Sequence, residues 1–211
     1  MKPRKRLLSK SRLYVILDKK ISAGHTLLHM ASRLSDFGAD IIQFRDKYSS
    51  KNSILESALL LRKLFRNSDV LFILNDYLDI AKITDCDGVH LGQNDTSIEV
   101  AREILGEDKI FGLSCHNLKQ ALLAQEKGAD YIGIGPIFPT PTKPQYQAIG
   151  PDIIKQVKKK IKIPFFPIGG ITQYNINQIL SLGAKRAAVC RAIIKAKNIT
   201  QATEYFSGIL N

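Results

Sequence analysis

Residues 121–136 read Ala121-Leu-Leu-Ala124-Gln-Glu-Lys-Gly128-Ala-Asp130-Tyr131-Ile-Gly-Ile134-Gly135-Pro136. Ala121, Leu122 and Ala124 follow helical spacing, Gly128 suits the left-handed position just past a helix end, and Tyr131–Ile134 is a short apolar run of strand length. The same punctuation recurs at Gly38-Ala39-Asp40 and Gly183-Ala184-Lys185, so one βα unit is repeated along the chain. Working outward, strands are expected to begin near Leu13, Ile41, Leu71, Gly88, Ile110, Tyr131, Phe165 and Arg186. Between them lie amphipathic stretches around Leu27–Leu34, Leu55–Lys63, Ile98–Leu105, Ala121–Gln125, Ile153–Val157 and Ile176–Leu180. Such alternation implies a parallel sheet with crossover helices. An open doubly wound sheet would carry a Gly-rich fingerprint after its first strand, where Leu17-Asp18-Lys19-Lys20 stands instead. The expected fold is α/β, a single (β/α)8 TIM barrel over residues 13–211, preceded by a mobile basic tail at residues 1–12.

Composition narrows the classes. With 211 residues, 45% apolar and 24% charged, the chain suits one sizeable core and is neither disordered nor fibrous. No apolar stretch approaches the roughly 18 residues needed to span a bilayer. The basic N-terminus imitates a signal peptide, but the apolar run Leu13–Leu17 stops at Asp18-Lys19-Lys20, too short for a hydrophobic region. Cys86, Cys115 and Cys190 form no close pair, so neither a disulfide framework nor a zinc site is indicated and a cytoplasmic protein is expected. The net charge of +12 resides largely in the first twelve residues and in Lys155, Lys158, Lys159, Lys160 and Lys162. No aromatic residues interleave with these cations as base stacking would require. The expected partners are therefore anionic small molecules rather than nucleic acid or membrane, and a homodimer is compatible with the sequence.

Most of the apolar runs lead into residues suited to phosphate or metal, as expected where barrel loops converge on one rim. Asp76 and Asp95 follow the third and fourth strands, which as neighbours lie about 4.8 Å apart; together they could hold Mg2+, which needs only one or two carboxylates. The competing reading is that they cap the helices near Tyr77 and Ser97. Arg45 and Lys47 share one side of their strand, Asp46 points away, and Gln43 points with Arg45, to read a ring edge or fill the interior. Thr140, Thr142 and Lys143 sit on a Pro-stiffened loop, residues 135–150, of the kind that binds or covers ligands. Gly169-Gly170 offers bare amides at the usual barrel phosphate site, or makes a turn only glycine allows. His90 is read as a hydrogen-bonded barrel residue, with a general base as the alternative, His116 as the start of a loop, and Cys115 and Cys190 as fillers of small buried volumes.

Taken in order, Gln43-Phe-Arg45-Asp-Lys47, Asn75-Asp76, Asp87-Gly-Val-His90-Leu-Gly-Gln93-Asn-Asp95, Ser114-Cys-His116, Gly135-Pro-Ile-Phe-Pro-Thr140-Pro-Thr142-Lys143 and Ile168-Gly-Gly170-Ile resemble the thiamine phosphate synthase family. The resemblance runs from about Leu13 to Ile194. It implies that a hydroxymethylpyrimidine diphosphate is joined to a hydroxyethylthiazole phosphate, with Mg2+, giving thiamine phosphate and diphosphate. It implies that Arg45, Lys47, Asn75, Ser114 and Lys143 hold the diphosphate and Asp76 and Asp95 the metal. Gln43 would then meet the pyrimidine, and Thr140, Thr142, Gly170 and Val189 the thiazole side. Two other readings share the barrel. TenI-like thiazole tautomerases can carry a catalytic histidine where this chain has Pro136, and tend to lose the acids kept here. A non-enzymatic phosphate-binding barrel would have no need of a metal clamp on a leaving group.

The chain departs from the family pattern near its last strand. Arg191 stands where a small residue such as serine is usual, and Lys185-Arg186 replaces Asp-Gly. Following Val189-Cys190, Arg191 is expected beside the phosphate-binding amides at Gly169 and Gly170. Its guanidinium could fork onto a phosphate, turn outward so that only its amide serves, or close the pocket.

Overall fold

Alternation along each strand decides which side chains fill a barrel and which face its helices. A computed structural model describes residues 3–22, 26–142 and 146–211. The expected strands form as β1 Leu13–Asp18, β2 Ile41–Arg45, β3 Leu71–Asn75, β4 Gly88–Leu91, β5 Ile110–Cys115, β6 Tyr131–Ile134, β7 Phe165–Pro167 and β8 Ala187–Val189. They pair in parallel in the order β7-β6-β5-β4-β3-β2-β1-β8. A parallel bridge between Ile168 and Ala188 brings β7 against β8, which closes the ring and decides for a barrel over an open sheet.

The crossover helices are α2 Leu27–Asp36, α3 Lys51–Phe65, α4 Leu78–Thr84, α5 Ile98–Leu105, α6 Leu118–Glu126, α7 Ile153–Lys160 and α8 Ile176–Ser181, with α9 Arg191–Ile194 and α10 Ile199–Leu210 after β8. Side-chain oxygens of Thr26, Ser50, Ser97, Asn117 and Asn198 cap the first turns of α2, α3, α5, α6 and α10, pairing amide groups that the helix cannot. Gly38, Gly128 and Gly183 take positive φ just past α2, α6 and α8, which is the punctuation seen in the sequence. Odd and even strand positions then separate two cores. Val15, Leu17, Ile42, Phe44, Phe72 and Phe111 pack outward under the helices. Tyr14, Ile16, Ile41, Leu71, Ile73, Ile110, Tyr131 and Phe166 fill the interior.

The aspartates just before β2, β4 and β6, two of them in Gly-Ala-Asp units, have a structural task. Asp40, just before β2, accepts from Leu13 N at 2.8 Å while its own N–H donates to Leu13 O at 3.0 Å. Asp87 treats Phe72 in the same way (2.9 and 2.9 Å), and so does Asp130 with Phe111 (2.9 and 2.8 Å). Each aspartate therefore clamps the start of the preceding strand at both backbone groups. Lys185 occupies the fourth such position, before β8.

Residues Pro3–Lys10, expected to lie in a mobile basic tail, form the helix α1 instead. Leu8 is 3% exposed within the interior core, with Leu7 against it. Arg4 and Lys5 reach two of the clamp aspartates, Asp87 at 2.8 Å and Asp130 at 2.7 Å. Arg186 donates to Ser9 O and Ser11 O (2.7 and 2.9 Å), pairing carbonyls at the C-terminal end of α1. Two of the charges that suggested a solvated tail are thus matched by carboxylates at the N-terminal ends of the strands, and Leu8, with the partly buried Leu7 against it, closes this end of the barrel. Lys185-Arg186 belongs to this end of β8, away from Arg191. Replacing Leu8 by Ala should cost about 2–5 kcal/mol in a urea unfolding titration, while Lys10→Ala on the exposed side of α1 should leave stability unchanged.

Candidate active site

At the other end, the C-terminal ends of the strands open on a cavity of about 280 Å3. Gln43 and Arg45 enter it from β2, Asn75 from β3 and Ser114 from β5. Thr140 and Thr142 come from the loop after β6, Gly169 and Gly170 from the end of β7, and Val189, Cys190 and Arg191 from β8 and the start of α9. Lys47, Asp76 and Asp95 stand beside this cavity rather than in its lining. Lys143 lies outside the described residues.

The charged side is tightly paired. Arg45 forms an ion pair with Asp18, which is 2% exposed and also accepts from Lys20 N and Ile21 N (3.1 and 3.3 Å). Asp46 points away, as expected: it accepts from Tyr48 N and Ser49 N at 3.0 Å each and meets Lys19 at 3.2 Å. Lys47 pairs with Asp76. Burial raises the pKa of Asp76 and the nearby Asp95 charge adds to this, against the pull of Lys47. Two carboxylates held together in this way favour an added cation. Asp76 also takes φ +66°, a conformation aspartate tolerates better than most residues but which still stores strain.

Neither aspartate caps a helix. Tyr77 is the N-cap of α4 and forms no side-chain cap bond, and α5 is capped by Ser97 itself. Asp95 accepts from Gly92 N at 2.6 Å. Asn75 is buried, and its Nδ2 has no hydrogen-bond partner among the described residues. A buried donor left unpaired in a cavity wall is a site for an acceptor.

Gly169 and Gly170 adopt φ +95° and +65°. A Cβ on Gly170 would meet Pro139 O at 2.6 Å, and one on Gly169 would meet Pro136 Cβ at 2.5 Å. The turn therefore requires glycine for conformation and for space, and it also lines the cavity. His90 is a hydrogen-bonded barrel residue, 3.0 Å from the Tyr131 hydroxyl and 2.9 Å from Ser114 Oγ. His116 Nδ1 binds Gly135 O at 2.6 Å, and its ring stacks on Tyr146 at 4.5 Å. Burial pushes the thiols of Cys115 and Cys190 up to about 12, so both stay protonated.

The sequence model described as thiamine monophosphate synthase matches residues 13–193. The chain belongs to the thiamine monophosphate synthase family. It is 40% identical to the thiamine-phosphate synthase of Shouchella clausii over 194 residues, 92% of this chain and 93% of the relative. It is 42% identical to that of Lawsonia intracellularis over 188 residues, covering 89% and 87%. Among solved structures, a thiamine phosphate pyrophosphorylase from Pyrococcus furiosus superposes with a TM-score of 0.86 at 35% identity, covering 98% of this chain and 96% of that one.

Two features of this family member escaped the sequence reading. In the sequence Asp18 marks the end of an apolar run and the absence of a glycine, yet it falls on the same strand face as Tyr14 and Ile16, and parity along β1 marks it as inward. Tyr14 lines the cavity and Tyr131 lies fully buried beneath it with its hydroxyl on Tyr14 and His90, but both read as plain apolar strand residues. Because Asp18 is the buried partner of the Arg45 guanidinium, Asp18→Asn should lower stability by about 1.5–3 kcal/mol in a urea unfolding titration, through loss of a charge-assisted hydrogen bond; unchanged stability would separate Asp18 from Arg45.

Proposed function

We propose that this rim condenses 4-amino-5-hydroxymethyl-2-methylpyrimidine diphosphate with hydroxyethylthiazole phosphate, giving thiamine phosphate and diphosphate. Thiamine phosphate synthesis is the transferase activity of the family to which the chain belongs, and small molecules are its substrates. The observation that carries the detailed reading is the division of the rim around one cavity. Cations, an unpaired amide and a facing carboxylate pair lie on the β2 to β5 side, and a glycine turn with hydroxyl residues lies on the β6 to β8 side.

The residues present fit Mg2+. Asp76 and Asp95 offer hard oxygen ligands, and their mutual repulsion is relieved by a cation. Two carboxylates are enough for an ion that completes its shell with water and phosphate. When bound, it supplies charge neutralisation to the departing diphosphate.

In this reading Arg45, Lys47, Asn75, Ser114 and Lys143 bind the diphosphate, and the unpaired Asn75 Nδ2 gains an acceptor. Gln43 meets the pyrimidine ring. Thr140, Thr142, Gly169, Gly170, Val189, Cys190 and Arg191 form the thiazole phosphate side. The bond from the pyrimidine methylene to the diphosphate oxygen breaks, and a bond from that carbon to the thiazole nitrogen forms. The ring stabilises the positive charge between these events, so the protein acts by binding the leaving group and placing the acceptor. No protein nucleophile is needed, in keeping with the protonated state of both cavity thiols.

Incubation with both substrates and Mg2+ should yield thiamine phosphate and diphosphate; isomerised thiazole without coupling would overturn the reading. Asp76→Asn and Asp95→Asn should each lower turnover on the order of 10²-fold or more, and full activity of both in chelator would remove the metal role. Arg191→Ser should raise the thiazole phosphate KM by about ten- to a hundredfold through loss of a charge-assisted contact. An unchanged KM would mean that the guanidinium turns outward, and a lower one that it obstructs the site.

A further inference from the structure

A continuous hydrogen-bond chain crosses the barrel beneath the cavity. Gln43 Nε2 donates to the Tyr14 hydroxyl at 2.6 Å, and the Tyr14 and Tyr131 hydroxyls are 2.9 Å apart. The Tyr131 hydroxyl lies 3.0 Å from His90 Nδ1, and His90 Nε2 lies 2.9 Å from Ser114 Oγ. These residues come from β2, β1, β6, β4 and β5, and all but Ser114 are buried.

Counting protons gives the chain a direction. A phenol has one proton to donate, and a neutral imidazole has one donor and one acceptor nitrogen. With the Gln43 amide donating to Tyr14, the Tyr14 proton has the Tyr131 oxygen as its acceptor. The Tyr131 proton then passes to His90 Nδ1, which must be bare. His90 is left with its proton on Nε2 and donates it to Ser114 Oγ, so the serine proton is free to face the cavity. Protonation of both ring nitrogens would turn Tyr131 back toward Tyr14 and strand the Tyr14 proton in the interior. Complete reversal, with the Gln43 oxygen accepting from Tyr14, would commit the serine proton to His90 and turn serine lone pairs toward an anion.

The surroundings hold the chain in place. Phe166 packs edge-on against Tyr14 and Tyr131, with centroids 5.3 and 5.7 Å away. Gly112 leaves the room that the Tyr131 ring occupies, since a Cβ there would lie 2.0 Å from Tyr131 Cζ. Burial raises the pKa of both tyrosines, so both remain donors.

We propose that Tyr14, Tyr131 and His90 are positioning residues that fix this proton order, holding His90 as the neutral Nε2–H tautomer so that Ser114 is an obligatory hydrogen-bond donor to the leaving diphosphate. The assignment of diphosphate to Ser114 rests on the function proposed above; the tautomer follows from the chain itself. The full-length protein with 15N-labelled histidine reports the tautomer by NMR, with the His90 signals assigned through His90→Gln. The expected wild-type result is a proton on Nε2 and a bare Nδ1. Tyr131→Phe should release the tautomer, weaken binding of inorganic diphosphate about tenfold, as for loss of a single preorganised donor, and lower kcat with little change in the thiazole phosphate KM. A proton on Nδ1 in the wild type, which is read without any variant, would overturn the proposal. So would a folded Tyr131→Phe protein that binds diphosphate as tightly as the wild type. If the wild-type protein makes no thiamine phosphate, the functional reading fails, whereas the tautomer measurement still decides the proton order.

Discussion

A closed barrel of eight parallel strands has an interior that side chains must fill, and parity along each strand fixes which ones do so. In this chain the inward set includes Tyr14, Gln43, His90 and Tyr131, four polar residues in a space otherwise held by Ile16, Ile41, Leu71, Ile73, Ile110 and Phe166. Polar groups there must satisfy one another. They do so in a single chain of contacts, and that chain becomes the floor on which the rim residues stand. Interior packing and site architecture are thus the same constraint seen from below and from above.

The two ends of the barrel handle charge in opposite ways. At the bottom, Arg4 and Lys5 are matched by Asp87 and Asp130, so part of the N-terminal basicity is neutralised within the fold. At the top, Arg45 is held by Asp18 and Lys47 by Asp76, while Asp95 adds a further negative charge beside Asp76. The upper pairs can be rearranged by an anion and a cation arriving together, because each new partner replaces an existing one. The lower pairs have no such exchange and serve to keep α1 in place.

The barrel was legible because its signals are local. Strand starts from Leu13 to Phe165 coincide with those observed, β8 begins one residue after Arg186, and the glycines that close α2, α6 and α8 act through their own backbone angles. The rim residues were legible for the same reason, since a strand end followed by Arg45 and Lys47 or by Asn75 and Asp76 is a contiguous pattern. What could not be read depended on partners far away in the chain. The docking of α1 needs Asp87 and Asp130, the task of Asp40 appears only when Leu13 lies beside it, and Asp18 matters through Arg45. The alternative of Asp76 and Asp95 as helix caps was chemically sound, but Ser97 took one cap and α4 begins without any.

The uneven distribution of the aspartate clamps gives the barrel a compliant joint. Of the four strand pairs β1/β2, β3/β4, β5/β6 and β7/β8, the first three carry a clamp; the fourth has Lys185 in its place, and its strands are three residues each, meet through the Ile168–Ala188 bridge, and include Pro167, which has no N–H to donate. Few backbone bonds hold this seam, so local opening there meets the least resistance. Gly169, Gly170 and Arg191 stand directly above it, whereas Arg45, Asn75 and Ser114 stand on the fully laddered arc from β2 to β5. One half of the rim is therefore a stiff template and the other an adjustable jaw, able to yield to the shape of whatever it grips without loosening the opposite wall.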